Sequence, residues 1–224
     1  MKKTAIHWPD KSVLPFLLLM TILSFSNLFR IRIGGDLLKL AGLAVILGVI
    51  AFFVTRKTND SKEEGLDFKT FPGQLKNKKA VLLLVAPILV DALTFVIFRA
   101  FLPEYFDFLM ARLPFAVNAS MIPMILVELL VLPLGEEIAM RAFYQKQLAK
   151  TVGARPALIL TSMVFAVAHF SFGSPLIVFV DLAGVFVNAI FYGLLFQETD
   201  NAWCSWVSHS AADIVAICTV AFLL

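Results

Sequence analysis

Apolar residues follow one another along this chain in long runs, and polar residues are concentrated between the runs. A helix needs about 20 apolar residues to cross the hydrocarbon core of a bilayer, with a range of about 17–25. Seven runs approach or reach that length, at residues 13–29, 37–54, 80–98, 113–134, 156–172, 175–196 and 203–224. The pattern predicts an all-α fold, a polytopic transmembrane helical bundle that forms a single membrane domain over residues 1–224.

Prolines and aromatic residues mark two irregular segments, one on each side of the fourth run. Residues 102–110 are rich in aromatic side chains and stand between Pro103 and Pro114, so they predict a short or re-entrant eighth helix. Pro133 and Gly135 are expected to break the helix at the end of the fourth run. An amphipathic helix is predicted to follow over residues 136–150. The bundle is therefore expected to have seven or eight membrane helices.

Composition supports a membrane protein and excludes several other classes. Hydrophobic residues make up 60% of the chain and charged residues 16%, against about 45–50% and about 25% in soluble domains. A soluble enzyme, a disordered chain and a nucleic-acid-binding module are excluded, because too little polar surface is available. The two cysteines, Cys204 and Cys218, both lie in the last run. They provide no disulfide framework and no cysteine-based zinc site.

The distribution of basic residues predicts the orientation in the membrane. With the N-terminus in the cytoplasm, the inside segments hold 14 Lys and Arg and the outside segments hold 4, as the positive-inside rule requires. No small-x-small cleavage pattern follows the first run, so we expect an uncleaved first helix. The chain is predicted to be an integral multi-pass protein of the plasma (inner) membrane. Residues 55–79 are predicted to be a cytoplasmic loop. The favoured interpretation is a solvated segment that is attracted to anionic lipid headgroups, and a docking site is the alternative.

Ionisable residues inside apolar segments are costly and usually functional, and here they concentrate in the last 90 residues. Glu137 and Arg141 are four residues apart, so they share a helix face in the favourable order for an ion pair. We expect these two residues to have a structural role. Glu136 points about 100° away from Glu137 and has no such partner. An ordinary charged helix start is the alternative interpretation of this segment.

The histidines supply two further pairs at the same spacing. Phe165 and His169 are one helical turn apart, so the phenyl ring is expected to hold the imidazole in one orientation. His209 and Asp213 share a face of the last helix, where a common polar site explains their presence best. A simple topology puts Glu136 at the inner end of its helix and His169 at the outer end. They meet if the fifth helix is short or tilted, or if the 136–150 helix enters the membrane.

Three motifs therefore stand in order along the chain, namely GluGluxxxArg at 136–141, PhexxxHis at 165–169 and HisxxxAsp at 209–213. Over residues 120–217 the pattern resembles the CPBP family of intramembrane proteases, the CAAX-protease and bacteriocin-processing (Abi) group that includes type II CAAX prenyl endopeptidases. Two positions depart from the family pattern. Ala142 stands where the family usually has Gly, and Asp213 stands where many members have Asn.

The resemblance implies an endopeptidase that hydrolyses a peptide bond of a membrane-associated peptide or lipidated protein tail. It implies that Glu136 activates a water molecule with the help of His169, and that His209 and Asp213 bind the developing oxyanion. Membrane lipid and such a substrate are the expected partners, and nucleic acid is not. Glu136, His169 and His209 also form the ligand set of a catalytic zinc site. The cofactor therefore stays open between zinc and none.

Two other functions are compatible with the sequence. A non-catalytic membrane factor for immunity or scaffolding would keep the same fold. A proton-coupled transporter would use Asp91, Glu128 and Asp181 as a relay, but no repeat symmetry of the transporter kind is present. These three acids, and Asn188, are expected to be hydrogen-bond partners between helices.

Overall fold

The computed structural model describes residues 11–33, 36–37, 39–58, 65–112 and 119–223, and most of these residues are helical. The helices are α1 (Leu14–Phe25), α2 (Ala41–Thr58), α3 (Phe71–Gln74), α4 (Lys78–Phe101), α5 (Glu104–Arg112), α6 (Ile122–Leu126), α7 (Leu132–Glu137), α8 (Lys146–Val152), α9 (Ala154–Ala168), α10 (Pro175–Thr199) and α11 (Ala202–Leu223). Two 3₁₀ turns, Ser26–Leu28 and Ala119–Met121, accompany them. The strands β1 (Arg32–Ile33) and β2 (Asp36–Leu37) pair antiparallel. Apart from this minimal hairpin, the predicted all-α fold is confirmed.

Residues 122–152 form one uninterrupted helical segment, called here the 122–152 helix. It consists of α6, the π-helical turn Val127–Val131, α7, the π-helical segment Ile138–Gln145 and α8. The predicted break at Pro133 and Gly135 is therefore wrong. A proline ring collides with the carbonyl four residues earlier, here that of Leu129, which lies in the π-helical turn. Its wider winding pairs carbonyls with N–H groups five residues on, so the proline is accommodated.

Two helices in the described part of the chain, α4 and α10, are long and apolar enough to cross a membrane. Their outer surfaces are apolar and unburied: Leu82 is 68% exposed, Val96 68% and Phe179 70%. Such surfaces need lipid rather than water around them. Shorter apolar helices cover Leu14–Leu28, Ala41–Arg56 and Ala154–Ala168. The predicted count of seven or eight spans is not confirmed by these lengths, although the predicted short helix after α4 is present as α5.

The main core lies where α1 and α2 pack against the π-helical segment Ile138–Gln145. Met20, Ala51 and Phe143 are fully buried there. A Cβ atom on Gly48 would lie 2.6 Å from the Cβ atom of Ala139, so only glycine permits this approach. Small residues that bring backbones together are typical of helix contacts in membranes. Packing against α1 and α2 thus holds the π-helical segment that carries Arg141 in place.

The polar connection between α2 and α4 folds onto the junction of α10 and α11. Asn201 is 1% exposed, and its Nδ2 donates to the Asp67 carbonyl at 2.7 Å and to Oε1 of Gln74 at 2.9 Å. The Gly65 carbonyl accepts from the Ala202 N–H at 2.9 Å. Gly65, Asp67 and Gln74 therefore attach this connection to the junction, while most side chains of residues 68–77 stay exposed. The cytoplasmic position of the loop stays a prediction. Residues 59–64, also part of the predicted loop, lie outside the described residues.

Candidate active site

A cavity of about 330 Å³ lies inside the bundle between α4, α5, α7, α9, α10 and α11. Glu136, His169, His209 and Asp213 all line it. These residues come from α7, from the end of α9 and from α11, which are far apart in sequence. The structure thus brings the four candidate residues of the sequence analysis to one shared polar cavity.

Helix lengths explain how Glu136 and His169 reach the same cavity. Glu136 lies near the middle of the 122–152 helix, because that helix does not end at Pro133. Helix α9 has 15 residues and is about 22 Å long, shorter than the hydrocarbon core of about 30 Å. His169 follows its last residue, and Asn27 Nδ2 donates to the Ala168 carbonyl at 2.6 Å. The simple topology put Glu136 and His169 at opposite ends of the bundle. They meet because α9 is short and because the 122–152 helix continues past Glu136.

Glu137 and Arg141 form a fully buried ion pair. Both are 0% exposed, and Arg141 Nε donates to Glu137 Oε2 at 3.2 Å. The predicted pair is therefore present. Arg141 is one of the 14 basic residues counted for the inside segments, but because it is buried it is not exposed to cytoplasmic solvent. Within the described residues, the two terminal guanidinium nitrogens have no hydrogen-bond partner. Arg141 Cζ lies 5.1 Å from the centre of the Phe165 ring, and Glu137 and this ring face compensate its charge.

His209 is held among carboxylates and aromatic rings. Its Nδ1 lies 3.0 Å from Glu137 Oε1, so the second carboxylate oxygen of Glu137 accepts from the imidazole. Its Nε2 lies 3.8 Å from Glu136 Oε2 and 3.6 Å from Asp213 Oδ2. The ring of Tyr192 stacks on the imidazole at a centroid distance of 4.6 Å. Nε2 is therefore the nitrogen that faces the cavity acids.

His169 is oriented by its own helix end. Its Nδ1 lies 2.8 Å from the Phe165 carbonyl oxygen, which accepts a hydrogen bond from the ring. The Phe165 and His169 rings are in contact at a centroid distance of 4.5 Å, as the spacing predicted. Because Nδ1 then carries the proton, Nε2 keeps its lone pair. Phe165 also contacts His209, edge to face at 5.9 Å, so it lies between the two imidazoles.

The other acids of the cavity are tied to neighbouring helices. Asn188 Nδ2 donates to both oxygens of Asp91, at 2.9 and 3.0 Å, and joins α10 to α4. Asp181 accepts from Arg112 Nη1 at 2.6 Å and from the Tyr105 hydroxyl at 3.3 Å, which joins α10 to α5. These contacts match the predicted role as hydrogen-bond partners between helices. Glu128 lines the same cavity.

Sequence reasoning missed Tyr192 and Arg112 as members of this cavity. Tyr192 had a detectable signal, because Asp181, Asn188 and Tyr192 are seven and four residues apart and share one polar face of α10. Arg112 had none, because it stands at the end of a short amphipathic helix where a basic residue is common. Its partner Asp181 is 69 positions away.

Glu136, His169 and His209 do not fit a zinc site in this arrangement. Over the described ranges, no three His, Cys, Asp or Glu side chains are placed to hold one metal ion. The Nδ1 atoms of the two histidines are engaged by the Phe165 carbonyl and by Glu137, which leaves Nε2 as the available ring nitrogen of each. Within these ranges, the three side chains are not placed around a common point, so the zinc ligand set is not assembled.

A mainly helical structure with exposed apolar helix faces, around a half-open cavity lined by carboxylates and imidazoles, is typical of a helical membrane protein with a candidate hydrolytic site. Residues 118–215 match the family described as type II CAAX prenyl endopeptidase Rce1-like, a family of proteases. This match supports, over that segment, the family predicted from the three motifs. It covers less than half of the chain and includes every cavity residue named in those motifs. No curated protein and no solved structure matches the chain.

Proposed function

We propose that this protein is an intramembrane endopeptidase that hydrolyses a peptide bond of a membrane-associated peptide or protein tail. The observation that carries the proposal is the approach of Glu136, His169, His209 and Asp213 to one cavity inside a helical bundle. The family match supports the same reaction class. The basic-residue bias supports a cytoplasmic N-terminus in the plasma membrane.

Glu136 is the base in this proposal. Its side chain is 22% exposed, and its ion-pair contact is the long one to His209 at 3.8 Å. It therefore has a free oxygen with which to accept a proton from water while the water oxygen attacks the scissile carbonyl carbon. His169 Nε2 has a lone pair that accepts the second hydrogen of the same water and holds it in line. The side chains thus orient the nucleophile before it reacts.

His209 is the oxyanion donor. Glu137 accepts from its Nδ1, so Nε2 donates to a developing oxyanion when the imidazole carries both protons, and Glu137 balances that charge. One pre-oriented donor of this kind lowers the barrier by about 3–4 kcal/mol. Asp213 contributes a second donor when its carboxyl group is protonated. The tetrahedral intermediate then collapses, the C–N bond breaks, and the proton held by Glu136 passes to the leaving amine.

The test is a cleavage assay with purified protein in detergent on a panel of membrane-tethered peptides. Glu136→Gln keeps the shape of the side chain and removes the base, so we expect the rate to fall by about 10²–10⁴. Glu104→Gln is the matched control, because Glu104 is exposed on α5 and does not line the cavity. A Glu136→Gln protein that cleaves at the native rate would refute the mechanism. A folded native protein that cleaves no peptide would favour the non-catalytic membrane factor.

A proton-coupled transporter is the second candidate, since Asp91, Glu128 and Asp181 line the same cavity. The bonds of Asp91 to Asn188 and of Asp181 to Arg112 favour a packing role for two of these acids. Proton flux into liposomes distinguishes the two functions. We expect no flux that depends on Asp91, and a flux abolished by Asp91→Asn would favour transport.

A further inference from the structure

Tyr192 lies against His209 although it belongs to none of the three motifs. It is 2% exposed on α10, and its ring is nearly parallel to the imidazole, with an interplanar angle of 19° and a centroid distance of 4.6 Å. Phe165 meets the same imidazole with its edge at 73°. The imidazole thus has an aromatic face on one side and an aromatic edge on another.

The backbone at Tyr192 is tied to both elements that carry the proposed catalytic groups. Its carbonyl accepts from the hydroxyl of Ser205 on α11 at 3.2 Å. The next carbonyl, that of Gly193, accepts from Nε2 of Gln145 at 3.0 Å, and Gln145 belongs to the 122–152 helix. A Cβ atom on Gly193 would lie 2.4 Å from Leu158 Cδ1 and 2.7 Å from Gln145 Oε1, so the glycine lets both side chains approach the backbone closely. The Tyr192 ring is therefore carried by a backbone that is fixed relative to α11 and the 122–152 helix.

Stacking of the Tyr192 ring restricts a tilt of the His209 imidazole that the hydrogen bond to Glu137 still allows. The contact with Glu137 fixes Nδ1, but the imidazole can still tilt about the line between Nδ1 and the carboxylate oxygen. Such a tilt moves Nε2, the atom that faces Glu136 and Asp213. A parallel ring 4.6 Å away blocks it.

We propose that Tyr192 is a positioning residue that holds the His209 imidazole flat, so that Nε2 points at the oxyanion. The inference rests on the proposed protease function and adds a residue to its site. The proposal assigns the effect to the aromatic face rather than to the hydroxyl, because the contact between Tyr192 and His209 is a stack of the two rings. The positioning acts on the transition state and leaves substrate binding unchanged.

Tyr192→Phe and Tyr192→Leu separate the ring from the hydroxyl. Because a displacement of about 1 Å can reduce a rate by about 10²-fold, we expect Tyr192→Leu to lower kcat by about tenfold to a hundredfold with KM within about twofold. We expect Tyr192→Phe to keep kcat within about twofold. Phe106→Leu is the control for the loss of a buried aromatic ring, because Phe106 is 1% exposed but does not line the cavity. Rates are normalised to the folded protein.

A second measurement does not depend on cleavage. Diethyl pyrocarbonate acylates accessible imidazoles, and peptide mass spectrometry reads His209 and His169 separately. In the native protein His209 is 6% exposed, so its modification is expected to be slow. Tyr192→Leu should accelerate it severalfold at His209 and leave His169 unchanged. If the native protein cleaves nothing, this measurement still decides the positioning role.

Two results would overturn the inference. In the first, Tyr192→Leu keeps native kcat and native modification of His209, which means that the stack has no effect on the imidazole. In the second, Tyr192→Phe is as slow as Tyr192→Leu, which assigns the effect to the hydroxyl. A fall in kcat for Phe106→Leu equal to that for Tyr192→Leu would also refute it, by showing a general effect of core loosening.

Discussion

The two adjacent glutamates are expected to respond to the same substitution in opposite ways. Glu137 is 0% exposed and is bonded to both Arg141 and His209. Glu136 is partly exposed, and its ion-pair contact among the described residues is the long one to His209. Changing either residue to Gln preserves its shape and removes its charge. We expect Glu137→Gln to lose stability, and Glu136→Gln to lose cleavage alone.

The expected loss of stability follows from the charged groups that each substitution leaves without a partner. Glu137→Gln leaves a fully buried guanidinium whose terminal nitrogens are unpartnered among the described residues, with only the Phe165 face to compensate it. Removing one partner of a buried pair costs about 3–5 kcal/mol. That corresponds to a fall of about 10 °C in Tm for a chain of this length. Glu136→Gln loses a long contact to His209, at 3.8 Å, from a side chain that is partly exposed to solvent. We therefore expect the free energy of unfolding to fall by about 1 kcal/mol or less.

The two cysteines provide the assay. Cys204 is buried and Cys218 is exposed, so a Cys218→Ser background leaves a single buried thiol. A thiol-reactive fluorogenic dye then reports unfolding in detergent as Cys204 becomes accessible on heating. Glu137→Gln combined with Arg141→Met removes both charges. This double variant is expected to recover part of the lost stability.

The reasoning is refuted by either of two results. A Glu137→Gln protein that melts like the native one would show that the buried pair contributes no stability. A stable but inactive Glu137→Gln protein beside an active Glu136→Gln protein would reverse the roles assigned to the two residues.

Four further predictions concern other parts of the molecule. His169→Ala should abolish cleavage while the protein still accumulates in the membrane, and near-native cleavage would remove it from the site. Asp213→Asn should retain cleavage, since an amide donates to an oxyanion without charge, and complete loss would mean that the carboxyl group is required. Gly65→Ala should cost about 1–2 kcal/mol, because φ is +86° and the new Cβ would lie 3.2 Å from the Ala142 Cβ; an unchanged Tm contradicts this. Lys69→Cys should resist an impermeant thiol reagent in intact cells, and its labelling would reverse the topology.

The sequence predicts best what is local. The apolar runs locate the helices, and the spacing of four places Glu137 beside Arg141 and Phe165 beside His169. These contacts depend on helical geometry alone, which one turn of sequence contains. The match over residues 118–215 likewise supports the family predicted from motifs that each occupy only one or two turns.

Sequence reasoning fails where a contact depends on tertiary packing or on an irregular turn. Glu137 and His209 are 72 positions apart, so no periodicity links them. The helix continues through Pro133 because a π-helical turn precedes it, and apolar periodicity does not encode such a turn. Asn201 resembles an ordinary turn residue in the sequence, and its role in docking residues 65–77 emerges only from the fold.

The 15-residue length of α9 links the candidate site to the lipid around it. The chain leaves helical structure after Ala168 and resumes it at Pro175. The N–H groups of His169 and Phe170 still donate to the Ala166 and Val167 carbonyls, so the stretch without helical bonds is residues 171–174. Non-helical backbone inside a membrane is tolerated only beside protein or water. Longer acyl chains increase the hydrophobic mismatch with α9, and shorter ones relieve it. We therefore expect the acyl-chain length of the host membrane to influence how easily solvent reaches His169.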